Sequence, residues 1–475
     1  MDPVYSHIDA NKDRFINLLG EAIAIPSVSG DAAQRPSVLA MGQWLVRQLE
    51  RLEFSSIVER NPGTQELQGV TLALPPVILA TYGTDPSKPT VLVYGHYDVQ
   101  PALKEDGWKY DPFQMVVEEE TGRIYGRGST DDKGPILAWL WVVETYKALG
   151  KELPVNLKVC FEGMEESGSE GLDDIIKEEA NNYFKDVDCV CISDNYWLGT
   201  KKPCLTYGLR GVSYFMLEIS GPAKDLHSGV FGGTVHEPMT DLFHVMSKLV
   251  TPQGKILIPG IYDDVAAVTT QEDALYSNLD FSLADIHNAT ESETTIHGSV
   301  RDTLMHRWRF PSLSLHGVEG AFYAPGAKTV IPAKVTGKFS IRSVPNQTPE
   351  RIAELVKEYV EGEFAKLKSR NTLKFDAPQG GKAWVADVNS WNFVAARSAI
   401  EKVFKTSPDL TREGGSIPVT LTFQEALNKS VLLLPMGRSD DGAHSTNEKI
   451  DTLNYIEGIK LLATYLEEVA VVTKE

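Results

Sequence analysis

Apolar stretches of two kinds alternate along the first 200 residues of the chain. Residues 91–94 form an unbroken apolar run, which is typical of a strand buried on both faces. Residues 155–161 place apolar side chains at every second position, the period of a strand. Residues 135–150 predict a helix with Pro in its first turn and Gly at its end. This alternation predicts a parallel or mixed sheet with helices on its faces.

The middle of the chain has a different pattern. Residues 211–220 and 334–344 alternate apolar and polar positions, as half-exposed strands do. Residues 348–367 predict a long helix with one apolar face, capped by Thr348. Alternating strands beside a single amphipathic helix indicate an α+β unit rather than a continuation of the first pattern.

The length of 475 residues indicates two or three domains, because one ordinary core does not grow to that size. A break rich in Gly and Pro at residues 377–384 is followed by a return of strand and helix patterns. We therefore predict an α/β protein with a mixed sheet in residues 1–207 and 384–475, into which an α+β domain, residues 208–383, is inserted.

The charge of the chain limits its partners. Lys plus Arg total 46 and Asp plus Glu total 65, and the formal net charge of −19 argues against nucleic acid as a partner. The chain shows neither a bilayer-length apolar run nor a secretory signal at its start, so we expect no membrane association. The four cysteines lie in strand-like segments and predict small core residues in a reducing compartment, which favours a cytoplasmic protein.

Polar residues stand at the ends of several predicted strands and in Gly-rich turns. They comprise two histidines and several acids: His96 and Asp98, Asp131 and Asp132, Glu165 and Glu166, Asp194, and His444. Taken singly, each has an ordinary structural interpretation, such as a helix cap, a solvated acid or an exposed loop histidine. Together they supply the nitrogen and oxygen ligands that suit zinc or manganese, at the sheet edge where α/β proteins bind ligands.

A site for two metal ions has a chemical logic that this set of residues meets. Two divalent ions about 3.5–4 Å apart need one bridging carboxylate and further ligands on each ion. Two histidines and three carboxylates suffice and leave room for a bridging water. Neighbouring side chains on an extended backbone diverge, so one of Glu165 and Glu166 can bind metal while the other acts as general base.

Seven segments carry a resemblance to a known family: "YGHYDVQP", "GRGSTDDKGP", "CFEGMEESGSEGLD", "CISDNYWLG", "LHSGVFGG", "TREGGSIPVT" and "DDGAHSTNEK". The chain resembles the two-metal exopeptidase family of aminoacylases, carboxypeptidases and dipeptidases. It is most similar to the cytosolic non-specific dipeptidase branch, the relatives of carnosinase. The resemblance runs from about residue 10 onward. It implies a mixed-sheet metallopeptidase catalytic domain with an inserted α+β lid and dimerisation domain.

The resemblance implies five metal ligands and a base. The ligands would be shared between two divalent ions per subunit, zinc or manganese: His96 and Asp194 on one ion, Glu166 and His444 on the other, and Asp131 bridging both. Glu165 would be the general base, and Asp98 would orient His96. The peptide bond between Asp131 and Asp132 would be cis.

The resemblance also implies how a substrate is held. Arg342 would bind the free carboxylate of a dipeptide bidentately, although by sequence alone it reads as a cation on a surface strand. The other implied substrate-binding residues are Ser416, Thr329 and His444. His227 would reach across a homodimer and stabilise the oxyanion in the partner's site.

The function that follows is metal-dependent hydrolysis of dipeptides with broad specificity. Cys-Gly-like dipeptides are included, so the enzyme would serve the breakdown of glutathione-derived peptides. The alternative is an N-acyl amino acid hydrolase, which shares the metal site but needs no free amino group on its substrate. A catalytically silent metal-binding or scaffold protein is a third hypothesis. It would have lost the base or a ligand, whereas this sequence retains Glu165 and all five ligands.

Overall fold

The computed structural model describes residues 1–378 and 380–472. Its strands, in chain order, are β1 (Ser55–Arg60), β2 (Thr64–Leu67), β3 (Val70–Ala73), β4 (Val77–Tyr82), β5 (Thr90–His96), β6 (Val116–Glu118), β7 (Arg123–Tyr125), β8 (Asn156–Glu162), β9 (Cys189–Ile192), β10 (Cys204–Leu209), β11 (Gly211–Ser220), β12 (Leu226–His227), β13 (Ser312–Glu319), β14 (Val330–Ile331), β15 (Lys334–Ser343), β16 (Thr372–Asp376), β17 (Trp384–Val385), β18 (Asp409–Glu413), β19 (Ser430–Leu433) and β20 (Lys449–Asp451). Its helices are α1 (Asp2–Ala10), α2 (Lys12–Ile23), α3 (Arg35–Arg51), α4 (Lys133–Ala148), α5 (Leu172–Glu179), α6 (Ser228–Phe231), α7 (Pro238–Met246), α8 (Thr270–Ser277), α9 (Leu283–Thr290), α10 (Val300–Trp308), α11 (Pro349–Lys366), α12 (Trp391–Phe404), α13 (Pro418–Leu427) and α14 (Thr452–Val471).

Nine strands of the described ranges form one mixed sheet. Their order is β1-β4-β8-β5-β9-β19-β10-β17, with β18 paired to β10. The central strands β8, β5, β9 and β19 run parallel, and β4 and β10 join them in antiparallel fashion. Every residue of β5, β8 and β9 is buried, as expected for strands covered on both faces. The prediction of a mixed sheet flanked by helices is confirmed.

The helix expected from residue 135 begins two residues earlier, at Lys133. Asp132 is its N-cap residue, so Pro135 stands within the first turn. Proline fits there because the first four backbone N–H groups of a helix have no partner inside the helix. The helix ends before Gly150, as predicted.

A second sheet, antiparallel and four-stranded, has the order β13-β15-β11-β16. β11 and β15 pair along their whole length. As the sequence pattern predicted, buried positions alternate with more exposed ones, except at Ser340 of β15, which is buried. Apolar side chains of α7 and α11 pack with the buried face of this sheet in a core separate from that of the large sheet. Thr348 caps α11, since its hydroxyl accepts a hydrogen bond from the Arg351 N–H at 3.2 Å.

One part of the middle region packs away from the four-stranded sheet. Tyr276 of α8 and Trp308 of α10 share a buried cluster with Trp197 and Cys204. Cys204 is the first residue of β10, and Trp197 precedes that strand. The apolar faces of these two helices are therefore buried against a strand of the large sheet. The boundaries at residues 208 and 383 stay predictions.

Two expectations from composition concern burial and membranes. The four cysteines lie in β8, β9 and β10 and are all buried, as expected of small core residues. Among the helices in residues 1–378 and 380–472, none is both long enough and apolar enough to cross a membrane.

Candidate metal centre and active site

Three neighbouring strands of the large sheet end at the same edge. β5 ends at His96, β9 ends two residues before Asp194, and β8 leads into the short 3-10 turn Glu165–Ser167. Because β5 runs parallel to both β8 and β9, the carboxyl ends of all three strands meet. This is the edge at which α/β sheets bind ligands.

Two groups of potential ligands lie together at this edge. Within each group, one atom of each residue lies within 4.8 Å of those of the other two, and the groups are His96, Glu165 and Asp194, and Asp131, Glu166 and His444. In the first group, His96 Nε2 is 3.6 Å from Asp194 Oδ2. In the second, His444 Nε2 is 3.0 Å from Glu166 Oε2. All six residues are ones that the sequence predicted as ligands or as the base.

The Asp131 carboxylate lies between the two histidines. Its Oδ1 is 3.1 Å from His96 Nε2, and its Oδ2 is 3.1 Å from His444 Nε2. A carboxylate that presents one oxygen to each ligand group has the geometry that a bridge between two ions needs. The peptide bond between Asp131 and Asp132 is cis, as the resemblance implied.

Asp98 contacts both the first histidine and the turn with the two glutamates. His96 Nδ1 lies 3.1 Å from the Asp98 backbone oxygen and 3.4 Å from its Oδ1. The backbone N–H groups of Glu165 and Glu166 donate to the two Asp98 carboxylate oxygens at 3.2 and 3.1 Å. The backbone oxygen of Asp98 therefore contacts the His96 ring, and its buried carboxylate holds the turn that carries both glutamates.

The acids of the cluster repel one another in a buried place. Burial raises the pKa of Glu165 well above its usual range, and the charges of Asp194, Glu166 and Asp131 act in the same direction. Burial and the nearby Asp131 carboxylate likewise raise the pKa values of Glu166 and Asp194. A cation at this place would relieve that repulsion.

The acids around the two histidines raise the pKa values of both rings. Hydrogen bonds to Asp131 and Glu166 raise the pKa of His444 to about 11. Burial favours the neutral form of His96, but Asp194 and Asp131 outweigh it and raise the pKa of His96 well above its usual value. Two imidazole nitrogens amid carboxylate oxygens form a donor set that fits two divalent ions such as zinc or manganese.

Metal binding is expected to release protons, because imidazole binds a metal ion only in its neutral form. Both histidine pKa values are raised, so a metal ion that binds these rings is expected to displace protons from them. Metal affinity should therefore fall as the pH is lowered. Calorimetric titration of the chelator-treated protein in buffers of different ionisation enthalpy measures the proton count. The His444→Ala variant should release about one proton fewer. A binding heat that does not depend on the buffer would contradict this expectation.

A buried carboxylate that no sequence pattern predicted holds the loop before Asp131. Glu448 accepts hydrogen bonds from the backbone N–H groups of Gly128, Thr130 and Asp131 at 3.0–3.1 Å. It also pairs with Arg127 at 2.8 Å. Glu448 belongs to the "DDGAHSTNEK" segment, but a contact that spans 317 residues has no local signal in the sequence.

The four remaining candidates form two pairs. Arg342 Nη1 donates to Ser416 Oγ at 2.9 Å. His227 lies opposite Val330 where β12 pairs with β14, Thr329 precedes Val330, and both His227 and Thr329 are exposed. Among the residues that the structure describes, no hydrogen bond or ion pair links either pair to the two groups of potential metal ligands. Their roles in substrate binding stay predictions.

The Asp131→Ala variant is expected to lose affinity at both metal positions together, because one carboxylate would hold both ions. The loss should exceed the roughly 10–100-fold that removal of an outer hydrogen-bond partner costs. The matched variant Asp194→Ala should mainly weaken one position. Calorimetric titration with the same metal measures both variants, and loss of a single ion from Asp131→Ala would contradict a bridging role.

The chain is similar over almost its whole length to known peptidases. A sequence model of peptidase family M20/M25/M40 matches residues 92–468. The Cys-Gly metallodipeptidase dug1 of Schizosaccharomyces pombe is 54% identical over 473 residues, 100% of this chain and 99% of the relative. The Beta-Ala-His dipeptidase of Homo sapiens is 44% identical over 473 residues, 99% of this chain and 93% of the relative. The solved structure of the dipeptidase Dug1p from Saccharomyces cerevisiae aligns with a TM-score of 0.95 at 54% identity, covering 99% of this chain and 98% of that chain.

These similarities confirm the resemblance that the seven motifs indicated. They also confirm the fold class, a mixed-sheet metallopeptidase with an inserted α+β unit. The chain belongs to peptidase family M20/M25/M40 and is a metallopeptidase.

Proposed function

We propose that this protein is a metallodipeptidase of broad specificity that hydrolyses Cys-Gly and related dipeptides with two zinc or manganese ions. The observation that carries the proposal is the Asp131 carboxylate, whose two oxygens lie 3.1 Å from His96 Nε2 and 3.1 Å from His444 Nε2. The names of the relatives, a Cys-Gly metallodipeptidase and a Beta-Ala-His dipeptidase, support dipeptides as the substrate class. A role in the breakdown of glutathione-derived peptides would follow from activity on Cys-Gly.

The proposed ligands divide between two ions as the resemblance implied. His96 and Asp194 would hold one ion, Glu166 and His444 the other, with Asp131 between them. When bound, the two ions would supply the Lewis-acid chemistry that polarises a scissile carbonyl. Asp98 supports this division, because its contact with His96 Nδ1 leaves Nε2 directed at the acids.

Glu165 would accept a proton from the attacking water at its carboxylate and return that proton to the nitrogen of the leaving amino acid. Burial raises the pKa of Glu165, which suits a group that must both accept and donate a proton. The N–H of Glu165 is held by Asp98 at 3.2 Å, so the turn presents the side chain in a fixed position. Its neighbour Glu166 is 3.0 Å from His444 Nε2 and belongs to the other ligand group.

Arg342 and Ser416 would bind the free carboxylate of the dipeptide. Burial lowers the pKa of Arg342, and the nearby Glu413 opposes that effect. A partly buried guanidinium that receives a carboxylate forms a charge-assisted pair, stronger than the same pair in water. This requirement would separate dipeptides from peptides whose C-terminus is blocked.

The Arg342→Ala variant is expected to lose activity on a dipeptide while losing less on the corresponding dipeptide amide. The amide never formed the charge-assisted pair, which contributes about 1.5–3 kcal/mol. The difference should therefore be roughly 10–100-fold in kcat/KM. Steady-state kinetics on both substrates measures it, and equal losses would mean that another group binds the carboxylate.

A cavity lies beside the loop that carries His444. It has a volume of about 790 Å³, and its wall includes Ala443 and Ser445 on either side of His444. Tyr196, two residues beyond Asp194, lines it as well. None of the proposed metal ligands lines this cavity, so broad specificity stays a prediction.

A homodimer would place His227 in the partner's site. Exposed apolar residues follow His227 closely, with Val230, Phe231 and Val235 exposed by 65%, 39% and 37%. A two-fold contact would cover this surface in both copies at once.

A cytoplasmic location stays a prediction, supported by cysteines that are buried as small core residues.

Kinetics on a panel of dipeptides and of N-acyl amino acids with the same side chains test the proposal. Dipeptides, Cys-Gly among them, are expected to be hydrolysed with the higher kcat/KM. Faster hydrolysis of the N-acyl amino acids would favour the alternative function. If the metal-loaded protein hydrolysed neither class, a silent metal-binding protein would be the better explanation.

A further inference from the structure

We propose that Arg210 is a positioning residue that holds Arg342 and Ser416 in the geometry that binds the substrate carboxylate. The inference rests on the proposed function, in which those two residues bind that carboxylate. Arg210 is the single residue between β10, a strand of the large sheet, and β11, a strand of the four-stranded sheet.

Three consecutive residues of a Gly-rich turn are hydrogen-bonded to Arg210. Its backbone N–H donates to the Gly415 oxygen at 3.1 Å, and its Nε donates to the Gly414 oxygen at 2.9 Å. The Ser416 hydroxyl donates to the backbone oxygen of Arg210. A hydroxyl has one proton, so Ser416 Oγ acts as the acceptor towards Arg342 Nη1, which lies at 2.9 Å.

Arg210 also contacts the strands on both sides of Arg342. Its Nη1 donates to Ser312 Oγ at 2.8 Å, and Ser312 lies directly opposite Arg342 where β13 pairs with β15. On the other side, Val212 lies opposite Arg342 where β11 pairs with β15. Hydrogen bonds and strand pairing therefore close a ring from Arg210 through Ser416, Arg342 and Ser312 back to Arg210.

The surroundings of this ring carry more positive than negative charge. Burial, together with the charges of Arg342 and Arg307, lowers the pKa of Arg210 to about 10, although the charge of Glu413 opposes this shift. Glu413 lies 3.5 Å from Arg307 and accepts a hydrogen bond from the Gly414 N–H. Three guanidinium groups near one carboxylate favour the binding of an additional anion, here the carboxylate of a dipeptide.

Loss of the Arg210 side chain should therefore affect only substrates with a free carboxylate. Arg210→Met keeps the length of the side chain but has no donors. It should lower kcat/KM for a dipeptide about 3–10-fold, mainly by raising KM, and leave the dipeptide amide within about twofold.

Arg210→Lys, with its charge and a donor, should recover part of the loss. Arg301→Met is the control, because Arg301 pairs with Asp273 at 2.7 Å on the surface and takes no part in the ring. It should change the ratio of dipeptide to amide activity less than about twofold.

A double-mutant cycle with Arg342→Ala decides whether Arg210 acts through Arg342. In the Arg342→Ala background, Arg210→Met should change the ratio of dipeptide to amide activity by less than about twofold, because the group that it positions is already absent. Equal fold-losses in both backgrounds, or equal losses on dipeptide and amide, would overturn the inference. Thermal unfolding of each variant separates a loss of stability from a loss of carboxylate binding.

A milder variant covers the case in which Arg210→Met does not fold. Ser312→Ala removes one hydrogen bond of the ring and should lower the ratio of dipeptide to amide activity about 2–3-fold. An unchanged ratio would overturn the inference.

A wild-type protein that hydrolyses no dipeptide with metal bound would overturn the proposed function and the inference with it. If the wild-type protein hydrolyses dipeptides but the losses of Arg210→Met and Arg342→Ala add up in the double variant, only the role of Arg210 is overturned.

Discussion

The Glu165→Gln variant is expected to lose about 10²–10⁴-fold in kcat while keeping two metal ions per chain. Glutamine has the size of glutamate and leaves all five proposed ligands in place, but its amide cannot accept the proton of the attacking water. One carboxylate serves both proton transfers, so its loss affects both half-steps of the reaction. Steady-state kinetics and metal analysis of the same sample measure the two quantities together.

Metal content is the decisive control for this variant. A carboxylate oxygen of Glu165 lies within 4.8 Å of ligand atoms of His96 and Asp194, so the distance alone would also suit a ligand. If Glu165 were a ligand, the variant would lose an ion together with its activity. Glu170→Gln, a change at an exposed acid of the same loop, should leave both quantities unchanged. Full metal occupancy with a near wild-type kcat would mean that another group is the base.

The His227→Ala variant is expected to lose about 10²–10³-fold in kcat, the cost of one donor to the oxyanion. His227 Nδ1 accepts a hydrogen bond from the Gly229 N–H at 3.0 Å. This contact assigns the ring proton to Nε2, which is then a donor. In the described part of its own chain, no hydrogen bond links His227 to the proposed metal ligands, and we expect, as the resemblance implied, that it acts in the partner subunit.

Mixing two inactive variants tests the action of His227 in the partner subunit. A mixed dimer of His227→Ala and Glu165→Gln chains contains one site with an intact base and a donated histidine, and one site that lacks both. Random assortment makes about half of the dimers mixed, so about a quarter of the wild-type activity should return. Subunit exchange is verified by native mass spectrometry. If exchange occurs without recovery, His227 acts in its own subunit or outside the chemistry.

Much of the metal site could be predicted from local patterns. An unbroken apolar run at residues 91–94 indicates a central parallel strand, and parallel strands bring their carboxyl ends to one edge. A histidine and acids at such ends are then neighbours without any knowledge of the loops. The structure agrees, because His96 and Asp194 follow paired strands and lie 3.6 Å apart.

Contacts between distant loops could not be predicted in this way. Glu448 holds the backbone before Asp131 across 317 residues, and Ser416 meets Arg342 across 74 residues. Such contacts depend on how whole elements pack, and no periodicity in the sequence encodes that packing. The same reason explains why Trp308, in the middle of the predicted inserted domain, packs with Trp197 beside the large sheet.

We expect that two metal ions at the His96–Asp131–His444 cluster are needed to hydrolyse dipeptides. The most direct test is to remove metal from the protein with a chelator, add zinc or manganese stepwise, and measure kcat/KM for Cys-Gly at each ratio of metal to protein. We expect no hydrolysis without metal and activity that reaches its plateau at two ions per chain. Full activity at one ion per chain, or hydrolysis by the metal-free protein, would contradict it.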